Sequence, residues 1–462
     1  MDWSRPQGPR LSLPVVRWRA SDPGHRIGTL VVNYGGPGEQ HAQELLQGPG
    51  PLARLGRRFD LVAFDTRDTL LRCGENLTVH EDQLPRVVSN TAQFAERVRF
   101  NRALAASCRT YSGALFDHID AVAIARDTDA LRELLTERQL SFYGVSYGTL
   151  VAQMYREQFP ARVRAMVLDS VVDHSLDPPA LLTGAAEAQE DTYRAARRWC
   201  SRSPHCALHG QDIDARMDAW FAAASARRLE DDGIPIDTGD LLARTYLGNM
   251  TEDGWAGFFQ MLSGMTIRSR PFPPHRPLPL PAQPGDPVSQ SRPTPLLCAD
   301  WTIGPRSYTQ ERAWRQKAER AAPHTHGNSW YHEWAMRCAG WPRTTSNPPH
   351  PPRPVTAPPV LLVNARHDPA TSPAWARHVA AQLPHASLLM YQGAGHFVAS
   401  VGGDCPHRWI ARYLEHRALP PAHTACPAYL RPSTAHVGQV PPHAADVSAW
   451  RGANRLRDAT NR

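Results

Sequence analysis

Serine is a poor nucleophile until a histidine takes its proton and an acid orients that histidine. The stretch "LSFYGVSYGTLVAQMY" (Leu140 to Tyr155) offers a serine, Ser146, between Gly144 and Gly148 in a G-x-S-x-G pattern. The pattern alone is short and common. Its setting is more specific, because a strand-like run precedes it and an amphipathic helical run follows. That order predicts a sharp turn that lifts the hydroxyl above a sheet and aims a helix amino terminus at it. Two partners follow in chain order. Asp368 stands just beyond the strand-like "VLLVNA" in "ARHDPATSP", and His396 just beyond "SLLMYQ" in "GAGHF". Among 21 histidines, His396 is singled out by its glycine-rich turn directly after a strand. Its neighbour in the acid motif, His367, is expected to point elsewhere. Asp127 and Asp129 in "ARDTDALRELL" read as amino-terminal residues of a helix rather than as catalytic acids.

An acyl-transfer site also needs donors for the developing oxyanion. One is expected from the backbone N–H of Tyr147, directly after the serine. The other is expected from the loop "NYGGPGE" after an early strand, with Gly36 as the choice.

These residues must be held by alternating strands and helices. "GTLVVNYGGPG", "FDLVAFDTR" and "VRAMVLDSVV" are β-branched runs, and the same texture returns in "PVLLVNARHD" and "ASLLMYQGAGHF". Strand–helix alternation argues for a mainly parallel α/β sheet. Between the two halves the texture changes to helical stretches rich in Ala, Arg and Trp, with the proline-dense "RPFPPHRPLPLPAQPGDP". The expected division is therefore a first core part over 1–173, a helical cap with a proline-rich loop over 174–354, a second core part over 355–430, and an irregular tail over 431–462.

The composition excludes several classes. No run approaches the ~18 apolar residues of a membrane span, and the short apolar run Leu11 to Val16 does not read as an export signal. The formal charge is +7, yet Lys317 is the only lysine and the arginines are spread along the chain. That spread argues against a nucleic-acid arm. No metal or organic cofactor is called for. The expected partner is a peptide or small acyl substrate, and the chain is taken as a monomer by default. The eight cysteines lack the paired short spacings of a zinc site. Cys200 and Cys206 are close enough for a local bridge. Cys73 and Cys108 flank one segment, Cys298 and Cys338 another, and Cys405 and Cys426 lie near the carboxyl end. Disulfides in an oxidising compartment and reduced core cysteines are both open on spacing alone.

The motifs "VVNYGGPG", "FDLVAFDTR", "YGVSYGTLVAQMYREQFPARVRAMVLDSVVD", "CADW", "RCAGWP" and "ARHDPATSP…GAGH" resemble the tripeptidyl-aminopeptidase group of α/β-hydrolases, relatives of prolyl aminopeptidases. The resemblance runs from about Trp3 to Cys426. It implies the α/β-hydrolase fold with a helical cap, a Ser146–Asp368–His396 triad, and removal of short peptides from free amino termini. It also favours disulfides and an extracellular location; the missing export signal makes the cytoplasm the alternative. An exopeptidase of this kind needs an acidic anchor for the substrate's ammonium group, for which the cap offers Glu187, Glu190, Asp191 and Asp300. Departures from the family pattern are Tyr34 in place of a proline, Glu39, Gln40 and His41 after GGPG, and Asp68 in place of a glycine. These point to an altered substrate, and an ester, lactone or amide of a small molecule is the alternative.

Overall fold

In the computed structural model, which describes residues 2–5, 7–75, 77, 84–247, 251–273, 288–290, 293–342 and 344–429, the β-branched runs form one sheet. Its strands are β1 (Val15–Trp18), β2 (Gly28–Asn33), β3 (Phe59–Phe64), β4 (Leu140–Val145), β5 (Val163–Asp169), β6 (Val360–His367), β7 (Ser387–Ala394) and β8 (Ala425–Cys426). The spatial order is β1-β3-β2-β4-β5-β6-β7-β8. Only β1 runs antiparallel to its neighbour, β3; the remaining pairs are parallel.

Every residue of β2, β3 and β4 is buried, as expected of inner parallel strands covered on both faces. The two-residue period of a strand sorts their side chains into two cores. Val31, Val62, Phe142, Met166, Leu168 and Leu362 face one side. Leu30, Val32, Leu61, Tyr143, Val167 and Val363 face the other. The first face is covered by α1 (Thr91–Ser112), α2 (Ala121–Leu134), α3 (Tyr147–Gln158) and part of α4 (Pro178–Arg202). The same core takes in Trp375 and Val379 of α8 (Pro373–Gln382). On the second face lie Ile410, Tyr413 and Leu414 of α9 (Asp404–His416). Each fully buried large side chain contributes about 1.5–3 kcal/mol, so the two cores on either face of the sheet supply a large part of the burial that holds the fold.

Residues between β5 and β6 carry α4, α5 (Ile213–Ser225), α6 (Tyr308–Ala321) and α7 (Trp330–Cys338). Asp177 caps α4 by accepting from the Ala180 N–H at 2.8 Å, with Pro178 in the first turn. This segment has its own core around Trp220, Phe258 and Phe259, plus a short antiparallel sheet of 229–231, 234–236 and 265–267. Most of the proline-rich loop expected at 270–287 and the tail expected at 431–462 lie outside the described residues.

Four disulfides are formed: Cys73–Cys108, Cys200–Cys206, Cys298–Cys338 and Cys405–Cys426. The expectation for Asp127 and Asp129 needs correction. Asp120 caps α2, accepting from Ala123 N at 2.8 Å. Asp127 lies mid-helix and takes both arms of buried Arg67. Asp129 is bound by Arg132 and Arg162. Long-range ion pairing, invisible in the local sequence, places both acids there.

Candidate active site

Ser146 follows β4 directly and precedes α3, with φ 55° and ψ −123°, a backbone state that a non-glycine residue adopts only when its surroundings impose it. Its N–H donates to Asp169 O at 3.0 Å, and its carbonyl accepts from Thr149 N and Thr149 Oγ1. Gly144 and Gly148 make the turn possible. A Cβ on Gly144 would stand 2.4 Å from Gly148 O, and one on Gly148 would stand 2.4 Å from Asn33 O. The sequence forms a turn here because no larger residue fits.

The glycine loop after β2 packs on this turn. A Cβ on Gly35 would meet Ser146 Cβ at 2.9 Å and Tyr147 N at 3.3 Å. Gly35 N–H is committed to Asn33 Oδ1 at 3.0 Å. The next amide along, Gly36, is the one chosen from sequence, and the loop continues through Pro37 and Gly38 to Glu39.

Asp368 follows β6 and is wholly buried. Its carboxylate accepts from Ala370 N, Thr371 N and Thr371 Oγ1 at 2.9–3.0 Å. His396 Nδ1 lies 3.0 and 3.1 Å from its two oxygens. Burial alone would depress the imidazole's pKa, but the charge and hydrogen bond of Asp368, with a further contribution from Asp169, raise it above its ordinary value. His367, as expected, turns away and meets Asp191 Oδ2 at 2.6 Å.

Two residues that sequence reasoning did not single out hold the histidine turn. Asp169, the buried last residue of β5, accepts from Val398 N at 2.8 Å, Ala399 N at 3.0 Å and Tyr143 Oη at 2.7 Å. Ser170 Oγ accepts from Phe397 N at 2.9 Å. The only signal in the sequence was their position at the end of a strand between the Ser146 and the Asp368–His396 segments.

The four proposed anchors fall in different surroundings. Glu190 is buried and saturated: Oε1 accepts from Arg194 Nε and meets His324 Nδ1, and Oε2 accepts from Thr325 N and Oγ1. Asp300 lies under the start of α3, accepting from Tyr147 Oη at 2.6 Å, Asn347 Nδ2 at 2.7 Å and Ala121 N at 3.1 Å. Burial first, then repulsion by Asp120, pushes its pKa up to about 7. Glu187 is exposed on α4, and Asp191 is held by His367.

A family described as alpha/beta hydrolase fold matches residues 97–213, which include Ser146, and one described as TAP-like protein matches residues 322–426, which include Asp368 and His396. The chain is 27% identical to serine protease Hip1 of Mycobacterium tuberculosis, covering 92% of this chain and 85% of that protein. It is 25% identical to tripeptidyl aminopeptidase of Streptomyces lividans, covering 90% and 80%. It is 27% identical to carboxylesterase B of Mycobacterium tuberculosis, covering 92% and 84%.

Proposed function

The chain is a serine hydrolase of the α/β-hydrolase superfamily, similar to the tripeptidyl aminopeptidases, and from that premise we propose that it releases short peptides from free amino termini through an acyl-enzyme on Ser146. The observation that carries the reading is the strained Ser146 turn at the same sheet edge as the buried Asp368–His396 pair. In the first step His396 takes the Ser146 proton while Oγ attacks the scissile carbonyl. Asp368 holds the imidazole tautomer and stabilises the imidazolium. The amides of Tyr147 and Gly36 receive the oxyanion. His396 then gives its proton to the leaving amine, and water, activated by the same histidine, releases the peptide acid and restores the serine.

The similarity to carboxylesterase B and the unusual loop residues Tyr34 and Glu39 favour a second reading, hydrolysis of a small ester with the same triad. The four disulfides support residence in an oxidising, extracellular compartment. No described helix is long and apolar enough to cross a membrane.

The test compares tripeptide anilides with free and acetylated amino termini, with an aryl ester alongside and Ser146→Ala as control. The expected outcome is cleavage of the free-amine peptides only, lost by at least ~10³-fold in the control. Serine-dependent ester cleavage without peptide cleavage would select the second reading.

A further inference from the structure

An exopeptidase must recognise a free ammonium group, and the two buried candidates from sequence have no capacity left for one. A carboxylate has about four lone-pair sites; Glu190 fills all four, and Asp300 is occupied by a tyrosine, an asparagine and a helix amide that reaches both of its oxygens. Asp68 differs. It lies in the turn after β3 at the sheet's active-site edge and is 4% exposed, and neither of its carboxylate oxygens makes a well-formed hydrogen bond. Its neighbour Arg67 is committed to Asp127 and to His118 O. The carboxylate lies beside the Gly38 amide and the Thr66 hydroxyl, and its charge acts on Tyr147. Asp68 therefore borders the seam between the glycine loop and the start of α3, the two segments whose amides are assigned to the oxyanion.

We infer that Asp68 is the residue that receives the substrate's free α-ammonium group, and so sets the preference for unblocked amino termini. The inference rests on the exopeptidase reading and adds the specificity residue to it. Distance supports the assignment. Gly38 is two residues beyond Gly36, so their amides are at most about 7 Å apart along the chain. A carboxylate beside Gly38 is thus within reach of an amino terminus one to three residues, about 3–10 Å, before the scissile carbonyl. The energetics point the same way, since a buried carboxylate whose nearby donors, Thr66 and the Gly38 amide, are poorly placed is costly, and an ammonium group adds both charge and donors. Burial pushes its pKa up to about 6 despite the nearby Thr66, Gly38 and Arg67.

The test is Asp68→Asn, an isosteric change that removes the charge. The readout is the ratio of kcat/KM for a tripeptide anilide with a free amino terminus to that for its acetylated form. In the variant this ratio falls about 10- to 100-fold, chiefly through KM, and Asp68→Glu restores part of it. Labelling of Ser146 by a fluorophosphonate reports that the variant is folded. A labelled Asp68→Asn enzyme that keeps the parent ratio overturns the inference and leaves the exopeptidase reading intact. A parent enzyme with no preference for the free amine overturns the exopeptidase reading itself. If Asp68→Asn does not fold, the parent decides: KM for the free-amine substrate alone must rise as Asp68 is protonated, and parallel behaviour of the acetylated substrate overturns the inference.

Discussion

Two carboxylates act on His396 in different ways. Asp368 touches the ring, while Asp169 grips the backbone that follows it through Val398 and Ala399. Both hold the imidazole pKa above the ordinary ~6.5. As the proposed general base, His396 must be deprotonated to act, so kcat/KM is expected to fall as pH drops through that raised value, placing the acid limb above ~6.5. Asp169→Asn removes one charge and one acceptor. It should move the limb to lower pH and reduce kcat by about tenfold through a looser histidine turn; a limb that stays in place would mean that Asp169 serves packing alone. The sequence singled out Ser146, Asp368 and His396 because each stands just after a strand-like run, and the structure joins Asp368 to His396. Asp169 was not readable in this way. Its role depends on a turn 229 residues away, and no local pattern encodes such a contact.

The elements divide the same way. Parallel strands with every residue buried announce themselves as β-branched runs, and the expected α/β-hydrolase sheet is what the chain forms. The helices between β5 and β6 were legible as helices but not in their mutual packing, which depends on contacts such as Ala186 of α4 on Ala318 of α6. Cysteine spacing left the oxidation state open; in the structure Cys298, at the helix spanning 294–300, is joined to Cys338 at the end of α7 across 40 residues. Closing a loop of that length in the unfolded chain is worth about 3–5 kcal/mol. Replacing both cysteines by alanine should lower stability by that amount in denaturant unfolding, with m somewhat raised because the unfolded chain is freed to expand. A loss under ~1 kcal/mol would show that the helices hold each other without the bond.

At the scale of the whole molecule, the serine and the acid–base pair come from opposite sides of a long intervening segment. β5 ends at Asp169 and β6 begins at Val360, and the two pair side by side, Met166 to Asp169 against Val360 to Val363. The sheet is thus completed by two parts of the chain far apart in sequence, which explains why no single window of the sequence displays the site. The four disulfides respect a different boundary. Cys73–Cys108 and Cys200–Cys206 close before residue 207, and Cys298–Cys338 and Cys405–Cys426 open after residue 297. A single cut between 207 and 297 leaves two polypeptides with no covalent tie, one bearing Ser146 and the other Asp368 and His396, the three residues of the proposed triad. The protein is in this sense already a split enzyme. Co-expressed as two fragments divided in that interval, it should recover turnover by complementation, with neither fragment active alone, and separate into two bands on a denaturing gel without reductant.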